Sequence, residues 1–181
     1  NLAVLAGVRA IMKVGMVGIG GMGKRIAINI AKAGFEFTVN DLREAPMKEL
    51  EQLGAQVAGS PREVAAASDI VLVSLPNNEA SEQVALGPDG ALAGAKSGDI
   101  YVDLSTIVPS LVHKIAKEAT ARGVCFLDAP VSGTQETSKA GGLSIMVGGD
   151  AATLERAMPV FKAFGKKIFH AGDTGAGATV K

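Results

Sequence analysis

The chain of 181 residues is 48% hydrophobic and 20% charged, a balance that is typical of a single globular domain and excludes disordered, collagen-like and coiled-coil chains. Its 18 basic and 18 acidic residues cancel, so we expect no nucleic acid and no anionic membrane surface as a partner. The single cysteine, Cys125, excludes an internal disulfide and a zinc site of several thiolates. These features favour a small-molecule partner and a cytoplasmic protein.

The first eleven residues carry one charge, Arg9, and lack the basic segment and long apolar core of a signal peptide. Met12, followed by Lys13 and an apolar run, resembles a natural start. We therefore interpret residues 1–11 as an upstream extension or a cloning remnant, and residues 12–181 as the folded domain. No run of about 18 apolar residues predicts a transmembrane span.

From Met12 onward, short apolar runs alternate with longer amphipathic segments, a pattern that predicts βαβ units wound on a parallel sheet. Strands are predicted at residues 13–19, 36–40, 56–58, 70–75, 100–104, 124–127, 143–147 and 167–170. Helices are predicted at residues 22–33, 78–86, 109–122 and 151–164, and after the Ser60 cap. Pro159 should kink or split the last helix. The predicted fold is α/β and doubly wound, of the Rossmann type, with a mostly parallel sheet.

A glycine-rich segment joins the first predicted strand to the first predicted helix and matches the pattern G-x-G-x-x-G. The first glycine permits a tight turn, the second lets a pyrophosphate approach the backbone, and the third lets helix and strand pack closely. Unpaired N–H groups at the helix N-terminus attract phosphate. The predicted dinucleotide site comprises Gly18, Ile19, Gly20, Gly21, Met22 and Gly23. The alternative is that these glycines only make a turn.

Asp41 stands at the end of the second predicted strand, 18 residues after Gly23. A carboxylate at this place accepts hydrogen bonds from the ribose hydroxyls of an adenosine. Its charge repels a 2′-phosphate, so we expect NAD as the cofactor. Arg43 favours the alternative, NADP, because a guanidinium can pair with that phosphate.

Five blocks of sequence follow one another between Met12 and Lys181. They are the glycine loop with Asn29 and residues 32–34, then residues 74–76, 103–106, 128–133 and 172–181. In this order the blocks resemble the β-hydroxyacid dehydrogenase family, which includes 3-hydroxyisobutyrate dehydrogenase and tartronate semialdehyde reductase, with 6-phosphogluconate dehydrogenase more distant. The resemblance covers the N-terminal, NAD-binding domain of that family.

The resemblance implies roles for residues outside the glycine loop. Leu75, Pro76 and Thr106 would line the cofactor site at the carboxyl ends of their strands. Lys181 matches the catalytic lysine, which would move a proton to or from the substrate oxygen during hydride transfer. The alternative for Lys181 is a solvated lysine at a chain end.

A second set of residues would hold the substrate, a small carboxylate. Ser132 and Gly133 match the family's substrate-binding segment, where a hydroxyl and backbone N–H groups hold the carboxylate. Thr134 stands where the family usually has a second glycine, so its Cβ and hydroxyl intrude beside the substrate.

The resemblance implies an NAD-dependent enzyme that interconverts a small hydroxy acid and its semialdehyde. The tartronate semialdehyde and 3-hydroxyisobutyrate branches are both candidates. The family continues past its lysine into an all-helical domain that this chain lacks, so we interpret residues 12–181 as the cofactor domain of a longer enzyme, which we expect to be a homo-oligomer. The alternative is a catalytically silent NAD-binding module or an inactive truncated fragment.

The remaining polar residues predict structural roles. One cysteine and two histidines, His113 and His170, without an H-E-x-x-H pattern, predict no metal site. Asp103 and Asp128 end two predicted strands, where we expect each to anchor a loop through backbone hydrogen bonds. An acid/base pair of these two carboxylates is the alternative.

Overall fold

The computed structural model describes Met12–Lys181, so the extension predicted at residues 1–11 lies outside the described residues. The strands are β1 Lys13–Val17, β2 Glu36–Asn40, β3 Gln56–Val57, β4 Ile70–Val73, β5 Ile100–Asp103, β6 Cys125–Asp128, β7 Val131–Ser132, β8 Leu143–Gly148 and β9 Gly165–Gly172. The helices are α1 Gly21–Lys32, α2 Glu44–Glu51, α3 Pro61–Ala66, α4 Asn78–Leu86, α5 Ala91–Gly94, α6 Pro109–Ala121, α7 Gln135–Lys139, α8 Ala151–Phe164 and α9 Ala176–Val180.

The strands form one sheet in the order β3-β2-β1-β4-β5-β6-β8-β7, with β9 paired to β8. All pairs from β3 to β6 are parallel, whereas β8 runs antiparallel to both β6 and β7. This confirms the predicted doubly wound, mostly parallel fold. The strand order reverses between β1 and β4, and such a switch point opens a crevice at the carboxyl ends of the strands.

Helices cover both faces of the sheet and bury two apolar cores. On one face α1, α2 and α8 pack against the sheet, with Ile26, Leu50 and Phe161 fully buried. On the other face α3, α4, α5 and α6 pack, with Val64 and Ile115 fully buried. Because both faces are covered, strands such as β4 are buried along their whole length, which explains their unbroken apolar sequence. No helix within residues 12–181 is long and apolar enough to cross a membrane.

The structure corrects some predicted boundaries and adds short elements. Helix α8 runs without a break through Pro159, so the predicted split is wrong. Its neighbours Ala157, Val160 and Phe161 are fully buried, and this packing outweighs the one backbone hydrogen bond that a proline removes. β1 ends at Val17, before the turn at Gly18. The sequence pattern did not predict α2, α5, α7, α9 and β7.

Candidate cofactor cleft and substrate segment

The glycine loop lies at the switch point, between the carboxyl ends of β1 and β4. Gly18 has a φ of +88°, and a Cβ there would collide with the carbonyl oxygen of Ser74. A Cβ on Gly23 would collide with the carbonyl oxygen of Gly18. The first and third glycines are therefore required by the packing of β1, β4 and α1.

The middle of the loop faces open space. A Cβ on Gly20 or Gly21 would meet no atom within 4 Å. Within residues 12–181, no acceptor takes a hydrogen bond from the backbone N–H of Gly20, Gly21 or Met22, and Gly20 has no side chain to cap the helix. Helix α1 thus presents free N–H donors and its positive end to the cleft. This arrangement fits the pyrophosphate of a dinucleotide.

Asp41 accepts three hydrogen bonds, one from the glycine loop and two from Arg43. Its Oδ2 accepts the backbone N–H of Ile19 at 2.6 Å, while its Oδ1 accepts the backbone N–H of Arg43 at 2.9 Å and Nε of Arg43 at 3.2 Å. A second nitrogen of the Arg43 guanidinium donates to the Ile19 carbonyl oxygen at 3.1 Å. A carboxylate has roughly four acceptor positions, so Asp41 keeps capacity for a ribose hydroxyl. The Arg43 side chain is therefore held against the loop, where Arg43 also lines the cleft.

A cleft of about 900 Å³ opens beside the loop. Two of the ten residues predicted to bind the cofactor do not line it: Ile19 is buried beneath the loop, and Thr106 lies exposed beyond β5. The eight that line the cleft are Gly18, Gly20, Gly21, Met22, Gly23, Asp41, Leu75 and Pro76.

The cleft has further walls that the sequence motifs did not predict. Ala80, Gln83 and Val84 of α4 line it at i, i+3 and i+4 spacing, so they share one face of that helix. Leu42 also lines it, with a fully exposed side chain directly after Asp41. Two signals were available in the sequence. They are the apolar Leu42 directly after Asp41 and the helical spacing of residues 80, 83 and 84.

Two buried aspartates at neighbouring strand ends anchor loops, as predicted. Asp103 Oδ1 accepts the backbone N–H of Ser105 at 2.8 Å. Asp128 Oδ1 accepts the N–H of Gly175 at 2.8 Å, and its Oδ2 accepts the N–H of Ala178 at 2.8 Å. Asp128 therefore holds the start of α9, the helix that leads to Lys181.

The predicted substrate segment lies on the far side of β6 from the cofactor cleft. Ser132 pairs with Ser144 of β8 and is exposed. Gly133 is exposed with a φ of +158°, and a Cβ there would lie 2.6 Å from Thr137 Oγ1. Thr134 is also exposed, and its side chain caps α7 by accepting the N–H of Thr137 at 3.2 Å. The hydroxyl that replaces the family's second glycine is thus engaged in a helix cap.

Lys181 follows α9 and is exposed, with its backbone N–H bonded to the Gly177 carbonyl oxygen. Helix α9 packs closely on β6 and β8, since a Cβ on Gly177 would lie 2.5 Å from the Met146 carbonyl oxygen. The substrate segment contacts β8 as well, so β8 is the common neighbour of Ser132 and α9. None of Ser132, Gly133, Thr134 and Lys181 lines the cofactor cleft. Among residues 12–181 no group of three or more His, Cys, Asp or Glu side chains is placed to hold a metal ion.

The fold, the glycine loop and the strand-end carboxylate define this chain as a dinucleotide-binding domain. The family described as the NAD binding domain of 6-phosphogluconate dehydrogenase matches residues 13–172. The chain belongs to this family, and NAD is its cofactor.

Relatives confirm the predicted resemblance to β-hydroxyacid dehydrogenases. The chain is 45% identical over 170 residues to 2-(hydroxymethyl)glutarate dehydrogenase of Eubacterium barkeri, covering 94% of this chain and 56% of that protein. It is 40% identical over 168 residues to 3-hydroxyisobutyrate dehydrogenase of Pseudomonas aeruginosa, covering 93% and 56%. The solved structure of Mycobacterium tuberculosis 3-hydroxyisobutyrate dehydrogenase with L-serine superposes with a TM-score of 0.88 at 32% identity, covering 94% and 57%. The chain therefore spans just over half the length of these relatives.

Proposed function

We propose that this chain is the cofactor domain of an oxidoreductase that interconverts a small 3-hydroxy acid and its semialdehyde. The observation that carries the proposal is the cleft at the switch point, whose free N–H donors and Asp41 suit NAD, in a chain of the NAD-binding family. The relatives named as hydroxy-acid dehydrogenases support the substrate class. We also propose that the complete enzyme is a cytoplasmic homo-oligomer, in line with the single cysteine of this chain and its family resemblance.

Different residues of the cleft would bind different parts of NAD. The N–H groups of Gly20, Gly21 and Met22 would receive the pyrophosphate, and Asp41 would accept the adenosine ribose hydroxyls. Leu42 offers an exposed apolar side chain at the adenosine end. Bound NAD supplies the hydride acceptor and, when reduced, the hydride donor.

Four residues on the other side of β6 would act on the substrate. Ser132 and the backbone of Gly133 would hold the carboxylate, and Thr134 would limit the substrate side chain near α7. Lys181 would take the hydroxyl proton during oxidation and return it to the carbonyl oxygen during reduction. Asp128 supports this arrangement by anchoring α9.

The proposal is tested on a chain extended past Lys181 with the downstream sequence of its gene. We expect substrate-dependent NADH oxidation with a small semialdehyde, and a loss of about 100-fold or more in kcat for Lys181→Ala with unchanged NADH affinity. Lys162→Ala, at an exposed position of α8, is the matched control and should keep full activity. NADH binding without turnover of any semialdehyde would favour the silent binding module instead.

Cofactor selectivity is tested separately, by calorimetric titration of NADH and NADPH. Wild-type protein should bind NADH more tightly. Asp41→Ala should weaken NADH binding by about tenfold or more, because the loop loses its anchor and the ribose loses an acceptor. Arg43→Met should weaken NADH binding by only about threefold. A loss of NADPH binding alone in Arg43→Met would instead make Arg43 a 2′-phosphate ligand.

A further inference from the structure

Asp103 is a buried carboxyl group. It does not line the cofactor cleft, and it has no part in the proposed chemistry. It ends β5, next to the loop and helix that wall the cofactor cleft, and it is 1% exposed. No lysine or arginine forms an ion pair with it among residues 12–181. A buried carboxyl group without a neighbouring cation is costly to ionise.

One oxygen of Asp103 is linked to the first wall of the cleft. Oδ1 accepts the backbone N–H of Ser105 at 2.8 Å, and Ser105 Oγ accepts the backbone N–H of Leu75 at 2.9 Å. The Leu75 side chain in turn lies against Gly18, since a Cβ built there would be 2.9 Å from Leu75 Cδ2. Asp103 therefore holds, through Ser105, the loop that packs on the phosphate-binding turn.

The other oxygen faces the second wall of the cleft. Asp103 Oδ2 and Ser81 Oγ are both buried, and neither has a hydrogen-bond partner within the described chain. Ser81 is buried on α4, close enough to influence the Asp103 carboxyl, and the neighbouring face of α4 lines the cleft. A proton on Oδ2 would let Asp103 donate to Ser81 Oγ, whereas an ionised Oδ2 can only accept from the Ser81 hydroxyl, an interaction that lowers the pKa of Asp103.

The groups around the carboxyl disfavour its charged form. Burial raises the pKa of Asp103 to about 6 against the lowering effect of Ser105 and Ser81, and the Asp128 carboxylate on β6 adds a smaller rise. Burial also raises the pKa of Tyr101 on β5, so this neighbour stays neutral. Helix α6, which covers the same face of the sheet, contributes apolar side chains to that core. The titratable cations of α6, His113, Lys114 and Lys117, are exposed, and none of them lowers the pKa of Asp103.

We propose that Asp103 is a positioning residue for NAD, which in its un-ionised form joins the loop after β4 to helix α4 and couples NAD binding to proton uptake. The un-ionised carboxyl has one acceptor for Ser105 and one donor for Ser81. The ionised form instead places a negative charge behind the loop and helix that wall the site of an anionic pyrophosphate. The proposal rests on the NAD site of the family and not on the proposed substrate.

The test is calorimetric titration of NAD into the chain between about pH 5.5 and pH 8, in buffers that differ in ionisation enthalpy. We expect NAD affinity to fall at least about fivefold as the pH rises, with net proton uptake on binding near neutral pH. In Asp103→Asn, which keeps an acceptor and a donor but does not titrate, the affinity should be independent of pH and proton uptake should vanish.

Asp128→Asn is the matched control, because Asp128 pairs in register with Asp103 and is equally buried. This variant should keep the pH dependence of NAD affinity and the proton uptake, and the midpoint of the pH dependence should be only slightly lower than in wild type. If Asp128→Asn lost the pH dependence and the proton uptake while Asp103→Asn kept both, the proton would belong to Asp128 and the proposal would be overturned. A purely structural Asp103 would lower the melting temperature of Asp103→Asn but leave the pH profile of NAD affinity as in wild type.

Ser105→Ala provides a second variant that leaves Asp103 in place. It removes the acceptor for the Leu75 N–H and a hydroxyl that lowers the pKa of Asp103. We expect weaker NAD binding, with the midpoint of its pH dependence at higher pH. An unchanged affinity and pH dependence would show that Asp103 does not act on NAD binding through the cleft wall. NAD binding that is independent of pH in wild type would overturn the role of Asp103 but leave the NAD site intact, whereas no binding at any pH would overturn both.

Discussion

The β1–β4 side and the β6–β8 side of this sheet differ in how completely their binding sites are formed. On the β1–β4 side, free N–H donors, a carboxylate with three hydrogen bonds and a cleft of about 900 Å³ already suit NAD. On the β6–β8 side, Ser132 and Lys181 are exposed on short elements and line no part of that cleft. The cofactor side is preorganised, whereas the proposed substrate side is anchored but open.

The difference follows from the elements that carry each side. Helix α1 has 12 residues and three buried side chains besides Gly23, so it holds its N-terminus rigidly against the sheet. Helices α7 and α9 have 5 residues each, and side chains anchor them: the Thr134 cap and Asn29 hold α7, and Asp128 holds α9. Short helices gain little from their own hydrogen bonds, so their position depends on tertiary contacts.

The largest expected effect comes from Gly20→Val, which separates the cofactor side from the fold. The added side chain meets only open space in the protein, so the melting temperature should stay close to wild type. It fills the space before the free N–H groups, and losing two hydrogen bonds to charged phosphate should cost roughly 3 kcal/mol or more, about 100-fold in NADH affinity. Gly23→Ala is the contrast, since its Cβ collides with the Gly18 carbonyl oxygen and should lower both the melting temperature and NADH affinity. Unchanged NADH binding in Gly20→Val would contradict the site.

The next effect is the pH dependence of stability that the buried Asp103 confers. The pKa of Asp103 is raised from its ordinary 3.8 to about 6 by burial. Its contribution to stability is therefore complete below about pH 4 and is lost as the pH rises through 6, a total of about 3 kcal/mol. Denaturant unfolding at a series of pH values should show this decline in wild type and not in Asp103→Asn. The same decline in both proteins would refute the assignment.

A smaller effect is expected from Asp128→Asn, which loosens the substrate side alone. One amide group would face the backbone N–H of Gly175 or Ala178, which would lose its acceptor. The free energy of unfolding should fall by about 2 kcal/mol. Hydrogen exchange should show faster exchange at residues 175–181, while NADH affinity at neutral pH stays near wild type. A large drop in NADH affinity would show that the two sides are not separable.

The smallest effect concerns the Thr134 cap of α7. Thr134→Ala should lower the free energy of unfolding by about 1 kcal/mol, because the first turn of α7 loses its acceptor, whereas Thr134→Gly should cost only about a few tenths. Chemical denaturation of both variants measures the difference. Equal stability of the two variants would mean that the hydroxyl does not serve as a cap.

Sequence patterns were informative where the deciding interactions are local. The glycine loop and Asp41 could be placed because strand, turn and helix follow one another within about 30 residues of a βαβ unit. Thr134, by contrast, was expected to intrude on the substrate, and its engagement in capping α7 depends on a short helix that the hydrophobic pattern did not predict. Short elements such as α7 and β7 have too few residues to show a period.

The sequence alone determined the α/β class, the NAD loop and the strand-end carboxylates, because each follows from hydrophobic period, glycine spacing and position after a strand. Only the tertiary structure decided that Arg43 folds back onto Asp41 and Ile19, that Ser105 links Asp103 to Leu75, and that Asp128 anchors α9. The residues of the last two contacts lie at least 30 positions apart in sequence. They are made by the lateral order of strands, which brings the ends of β4, β5 and β6 side by side. No local pattern encodes that neighbourhood, because it depends on how the whole sheet is assembled.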